Sequence, residues 1–196
     1  MKVFNANTLL NELKEITTLN HDFVNNKLTH FSESQLNWRP NSMSWNCLEV
    51  LAHLNEYATF YNQAISERIA KTKFTEPKET FVSSPLGRSA WRSMKLGNAR
   101  NIKRKFKAPK SYNPTLHPEL VSENEVGLFL TNQTELITIL DEAKKVNLRK
   151  VKVPISISKI VRLRLGDALM FVIYHNERHI EQLKSIIKHP NFPKKK

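Results

Sequence analysis

The sequence predicts an all-α protein, a four-helix bundle with a long crossover between its second and third helices. Three observations carry this. Apolar residues recur at helical spacing in four long segments, each with a recognisable start signal. Only 4 glycines and 9 prolines are present, and the prolines fall outside those segments. A stretch rich in Pro, Ser and basic residues, from 72 to 121, separates the second segment from the third. A chain of 196 residues can bury one substantial core, so residues 1–196 are read as a single domain.

The first helix is predicted over residues 5–30, with Leu9, Leu13, Ile16, Phe23 and Val24 on or near one stripe. After the connection "HFSESQLNWRPNSM", closed by Pro40, Ser44 is the expected N-cap of the second helix. Met43 and Leu48 are spaced for a hydrophobic staple there, and the helix runs to Lys71. The crossover holds room for one short helix, from Ser89 to Lys105. In "SENE", Ser122 and Glu125 form a candidate capping box for the third helix, which carries Phe129, Leu136 and Leu140 on one face. Residues 146–165 contain the alternating run "RKVKVPISISKIVRLRL". It reads as strand by pattern, but an isolated hairpin is marginal in water, so an ordered connection is expected. The fourth helix starts near Asp167, after Gly166, and ends before Pro190.

No run approaches the roughly 18 to 20 consecutive apolar residues of a membrane span, and the N-terminus lacks the apolar centre of a signal peptide. A cytoplasmic protein without a membrane partner is expected. The single cysteine, Cys47, excludes an internal disulfide, a zinc ribbon and a redox pair, and reads as a small buried hydrophobe. The net charge of +13 is concentrated: Arg88 to Lys110 holds nine Lys/Arg and no Asp/Glu. A second basic stretch spans Arg149 to Arg164, and the chain ends in "PKKK". With Trp91 and Phe106 interleaved, the first stretch has the ingredients for stacking on single-stranded bases. A solvated loop is the plainer reading of this composition, and no nucleic-acid-binding motif accompanies it, so no specific nucleic acid is expected as a partner. HExxH, GxSxG, a phosphate-binding Gly-rich loop and a dinucleotide fingerprint are all absent.

Histidines carry the chemical signal. At about 100° per residue, the fourth helix places Phe171, Val172, His175, His179, Gln182 and Leu183 on one face, with Glu177, Glu181, Lys184 and Lys188 opposite. The second groups Val50, His53, Tyr57, Phe60 and Ala64, with Ala52, Asn55, Thr59, Asn62 and Ser66 on the other side. An HxxxH pair alone is weak, because a buried histidine is usually satisfied by one hydrogen bond. Three inward imidazoles are a costlier burial, and a shared divalent ion satisfies all three at once. Counting turns from the expected helix starts puts such an ion near one end of the bundle. Glu49, Glu56 and Tyr57 lie near His53 by helical spacing, as candidates to orient a ligand or carry a proton. Gln182, one turn past His179, either hydrogen-bonds at the ion or fills the core with its amide bonded to backbone. Trp38 and Trp45, flanking the turn into the second helix, read as core anchors or as lining of a pocket mouth. His21, His30, His117 and His189 read as structural or exposed. No residue is assigned a catalytic role.

Two segments resemble a known family. In "LNWRPNSMSWNCLEVLAHLNEYATFY" a Trp-containing stretch leads into a second helix with a His-Leu pair, and in "LRLGDALMFVIYHNERHIEQL" a fourth helix carries His-x3-His followed by Gln. Both are similar to the DinB/YfiT-like superfamily, over about half the chain, with the third helix fitting by pattern only. The resemblance implies a four-helix bundle, frequent dimerisation, and one divalent ion bound by residues matching His53, His175 and His179. Characterised members include thiol S-transferases that use bacillithiol and mycothiol-dependent isomerases. Zinc, nickel, iron and copper all suit imidazole-rich sites. The expected function is that of a homodimeric metal-dependent enzyme with a small-molecule substrate, an anionic thiol. The alternative is a non-catalytic stress-related interaction protein with a structural metal and a basic partner-binding surface. An enzyme needs a concave pocket reaching the ion, whereas a structural site is closed.

Overall fold

The computed structural model describes residues 2–97 and 108–194. Strand β1 (Val3–Asn5) leads directly into α1 (Ala6–Lys27), whose start is set by Asn5: its side chain accepts a hydrogen bond from the Thr8 backbone at 3.0 Å. A short α2 (Glu33–Leu36), opened by a Ser32–Gln35 capping box, lies in the connection to α3 (Cys47–Ala70). The N-cap of α3 is Asn46, not Ser44. Asn46 and Glu49 complete a reciprocal capping box, with Glu49 N to Asn46 Oδ1 at 2.8 Å and Asn46 N to Glu49 Oε2 at 2.9 Å. Two donors satisfied at once outcompete a lone serine hydroxyl, which instead donates to Asn41 Oδ1. Met43 is 94% exposed, so the expected staple with Leu48 does not form.

Strand β2 (Thr80–Val82) pairs antiparallel with β1, and α4 (Pro85–Met94) follows. This helix starts earlier than expected because Ser84 caps it, accepting from Gly87 N at 2.9 Å, and Pro85 supplies a preset first turn. It also stops sooner, at Met94, with Lys95 to Gly97 outside the helix, and residues 98–105 of the predicted short helix lie outside the described residues. Helix α5 (Glu125–Ala143) has Asn124 as its N-cap. The Ser122–Glu125 contact exists, with the serine N–H and hydroxyl both donating to Glu125 Oε1, but it closes the preceding turn and is not a capping box. Helix α6 (Leu165–Ile187) begins two residues before Asp167, straight out of a strand.

That strand corrects the reading of 146–165 as a connection. β3 (Lys152–Ile155) and β4 (Ser158–Arg164) form an antiparallel hairpin in the register Lys152↔Arg164, Val153↔Leu163, Pro154↔Arg162. Its inward residues Val153 and Leu163 are buried while Lys152 and Arg162 face out. The hairpin escapes its intrinsic marginality by burying one face on the helices, at roughly 25 cal/mol per Å² of apolar surface.

Helix α3 packs on both α5 and α6, and α1 does the same. Pairings of His53 with His175, Tyr57 with His175 and Tyr61 with Phe171 show that α3 and α6 run antiparallel. Packing on two neighbours buries both sides of α3. Ala52, Asn55 and Asn62, expected on the outer side, are buried with the rest. The two asparagines are satisfied by α5: Asn55 Nδ2 donates to the Glu125 carbonyl and carboxylate at 3.0 and 2.6 Å, and Asn62 Nδ2 to Asn132 O and Glu135 Oε2 at 3.0 and 2.9 Å. The apolar interior divides into two clusters. One gathers around Leu9, Leu13, Tyr61, Leu140 and Leu169. The other holds Val24, Leu51, Leu54, Phe129, Ile180 and Leu183. Among the described residues no helix is long and apolar enough to cross a membrane.

Candidate metal centre

His53 sits in the second turn of α3, while His175 and His179 occupy the middle of α6. On α6 they fall between the two apolar clusters, after Tyr174 of one and before Ile180 of the other. On α3 the centre thus lies within two turns of the helix start, near the end where turn counting placed it, while on α6 it is at mid-helix.

The three imidazoles converge, each offering one nitrogen within 4.8 Å of the others. Nε2 of His53 lies 3.3 Å from Nε2 of His175. His53 Nδ1 is 2.6 Å from the Tyr112 carbonyl, which only accepts, so Nδ1 carries the proton and the Nε2 lone pair faces inward. His179 Nδ1 is likewise held 2.9 Å from Gln182 Oε1. His175 is not satisfied among the described residues: its Nδ1 is buried without a hydrogen-bond partner. A proton on His175 Nε2 would bond to His53 but leave that nitrogen bare, and a proton on Nδ1 would set two lone pairs against each other. An orphaned buried polar group of this kind costs about 1–3 kcal/mol. A cation drawing on inward-facing lone pairs removes the lone-pair conflict, so the donor set fits a divalent ion.

Electrostatics point the same way. Burial is the leading cause of a lowered pKa at all three histidines. His179 falls to about 3, and His175 lies well below its ordinary value, pushed further by His179 and His53. At His53 the Tyr112 carbonyl opposes the burial without reversing it. The rings are thus held in the neutral form that ligates metals.

Aromatic side chains lock them. Tyr57 packs at 4.5 Å between ring centroids on His175 and 5.0 Å on His53, and Phe171 stacks on His175 at 6.0 Å. Trp45 lies 5.1 Å from the His53 ring and donates its indole N–H to Thr115 Oγ1, whereas Trp38 packs on His189 and Phe192 in the second cluster. Of the pair, Trp45 lines the pocket and Trp38 anchors the core. The histidines open onto a cavity of about 900 Å³ bounded, among the described residues, by α3, α6, α4 and the hairpin.

The candidate supporting residues separate. Tyr57 and Gln182 touch the histidines. The Glu49 carboxylate is taken up by the helix cap and by Arg39, 2.9 Å away, and Glu56 is half-buried outside the three-histidine group. The acceptor for His53 is instead the backbone of Tyr112, which no side-chain pattern signals. The other four histidines stay away from the centre: His21 pairs with Asp22, His117 with Glu119, His189 accepts from the Asn191 backbone, and His30 is exposed. Cys47 is buried in the second cluster, and burial pushes its thiol up to about 12. Trp91 is buried and donates to Ser83 Oγ, so it offers no face for stacking on a base. Arg100 to Lys107 of the basic stretch, with Phe106, lie outside the described residues.

No curated protein and no solved structure matches the chain. A family model described as the DinB superfamily does match, over residues 24–183, a span that takes in all three converging histidines. The chain belongs to the DinB superfamily.

Proposed function

We propose that this chain is a metal-dependent enzyme. In this reading α1, α3, α5 and α6 are the family's four-helix bundle in a single domain, and residues 72–121 are its crossover. His53, His175 and His179 hold one divalent ion, either zinc, nickel or iron. The carrying observation is that the histidine cluster opens onto a cavity of about 900 Å³. A structural ion is sealed by a full set of protein ligands, whereas three imidazoles facing a cavity leave positions for water or substrate. The same opening disfavours the alternative of an interaction protein with a closed metal.

When bound, such an ion acts as a Lewis acid and lowers the pKa of a water or thiol that meets it. The chain's own groups do the rest. The Tyr112 carbonyl and Gln182 Oε1 fix the tautomers of His53 and His179, Tyr57 and Phe171 hold the His175 ring, and Trp45 shields the centre on its outer side. Tyr57 keeps its hydroxyl proton, because burial raises its pKa. The reaction we favour, from the family resemblance, is transfer of a small anionic thiol to an electrophile by a homodimer. The sulfur forms a bond to the electrophilic carbon, the leaving group departs with the bonding pair, and the thiol proton passes to solvent. Arg178, which lines the cavity, suits an anionic group on the thiol. No covalent carrier is needed, and Cys47, buried with a raised pKa, is unsuited to be one.

The test uses untagged protein. One equivalent of divalent metal is expected by elemental analysis, lost in His175→Ala, together with metal-dependent turnover of an electrophilic reporter by a panel of thiols. A full equivalent retained by the triple-alanine variant removes the site, and equal rates for wild type and His175→Ala remove the chemistry.

A further inference from the structure

The charged lining of the cavity beside the histidines lies on α6. Arg178, Glu181, Gln182 and Ser185 continue the polar lining along α6. The hairpin and α4 add a mostly apolar wall, Ile155, Val161 and Leu163 with Leu86, Ala90 and Met94, in which Ser156 is the polar member. Beside these lie the rings of Tyr57, Tyr61 and Phe171, with Tyr57 against His175 and Phe171 against Tyr61 at 5.8 Å.

The hairpin is shaped for this wall. The register shifts between Pro154 and Ile155, from Pro154↔Arg162 to Ile155↔Ser158, an irregularity that re-aims side chains. The Ser156 N–H is 3.4 Å from the Tyr61 hydroxyl, which places the hairpin turn against α3. Met43, Leu86 and Ile157, each more than half exposed, stand where the cavity meets solvent, on the rim that also carries the exposed Glu181 and Ser185. Isolated apolar residues on a surface are ordinary, but three on the rim of one cavity mark a binding mouth. The volume lies toward the upper end of the range for small-molecule sites, roughly 300–1,000 Å³, and exceeds what a small polar headgroup needs.

We propose that this compartment receives the apolar body of a substrate, an alkyl or aryl chain whose polar, metal-ligating head sits at the three histidines. In the transfer reaction it is the berth of the electrophile. The inference rests on the metal-centre reading for the head, and on the hairpin, α4 and the aromatic ladder for the body.

The experiment separates the two. Full-length protein loaded with zinc is titrated calorimetrically with n-alkyl hydroxamates from acetohydroxamate to decanohydroxamate. Affinity is expected to rise about fourfold per added methylene until the compartment is full. Ala90→Phe, which fills the compartment from α4, is expected to end the gain at a shorter chain, and Ile157→Asp, at the exposed rim, to weaken the longer hydroxamates only. Both variants should keep the wild-type zinc stoichiometry. In His175→Ala, n-alkanols replace hydroxamates as the probe, and the chain-length gain should persist because the apolar walls do not depend on the ion. A flat hydroxamate series in protein carrying its full zinc equivalent overturns the compartment and leaves the metal centre standing. Chain-length dependence without zinc binding removes the metal centre and keeps the compartment. A flat n-alkanol series overturns the compartment whatever the metal content.

Discussion

Gln182→Leu isolates the contribution of a single hydrogen bond to the proposed metal centre. Gln182 lies one turn past His179 on α6, half-buried on the cavity wall, and its Oε1 is 2.9 Å from His179 Nδ1. Leucine keeps the bulk and the helix propensity but removes the acceptor, so the His179 ring loses its tautomer lock without a cavity opening in the core. A typical intramolecular hydrogen bond contributes about 0.5–1.5 kcal/mol net, up to about tenfold in an equilibrium constant. Partners of metal-ligating histidines are worth roughly 10–100-fold in metal affinity, because they set ring orientation and ligand basicity as well. A loss of about tenfold or more in zinc affinity is therefore expected, with little change in thermal stability. Gln182→Glu, which restores an acceptor and adds a negative charge beside the ion, should bind zinc at least as tightly as wild type. Competition against a chromophoric chelator measures all three proteins on one scale. Equal affinity for wild type and Gln182→Leu would refute the argument that this hydrogen bond orients a ligand. A weakened Gln182→Glu, which keeps the bulk of glutamine, would refute the claim that a stronger acceptor here tightens the site.

Three further outcomes are expected. Phe129, fully buried in the second cluster, should cost about 3–5 kcal/mol when truncated to alanine, lowering the melting temperature by about 10 °C or more; a shift within a few degrees would mean the cluster collapses around the gap. Gly87→Ala should loosen α4, because a Cβ there would collide with the carboxylate of Asp167, which is itself bonded to Ser83 Oγ and to the Ser84 N–H and hydroxyl; faster amide exchange in residues 85–94 checks this, and unchanged exchange refutes it. Cys47 should resist alkylation in folded protein and react on unfolding. Because burial raises its folded pKa from 9.0 to about 12, the unfolded chain loses this proton first, so its contribution is full below about pH 9 and fades toward about pH 12. Stability that does not fall over that window would contradict the burial of the thiol.

Much of this molecule was legible in periodicity. Spacing put His53 on the inward face of α3, and His175 and His179 on that of α6, because a helix repeats every 3.6 residues; that the two faces share one site was implied by the family resemblance. The approximate helix spans were legible for the same reason. Starts were less so: Ser44, Ser122 and Asp167 all carry good capping chemistry, yet the chain begins its helices at Asn46, Asn124 and Arg164. Which polar residue caps depends on the whole turn and its reciprocal partners, not on one side chain's propensity.

What the sequence determined by itself is local: helices with defined apolar stripes, three histidines on those stripes, and one cysteine with no second to pair with. Only tertiary structure decided the rest. Asn55 and Asn62 are buried because α3 packs on two neighbours, a fact of assembly that its own amphipathic pattern does not contain. Residues 152–164 become a hairpin because the helices offer a surface that covers Val153 and Leu163; without it the same alternation stays marginal. The acceptor that orients His53 is a backbone carbonyl from Tyr112 in the crossover, and every residue has such a carbonyl. The cavity, finally, is a property of no single segment. It exists where α3, α6, α4 and the hairpin fail to fill the space between them, and packing around a gap is set by the relative placement of whole elements, which a linear pattern does not encode.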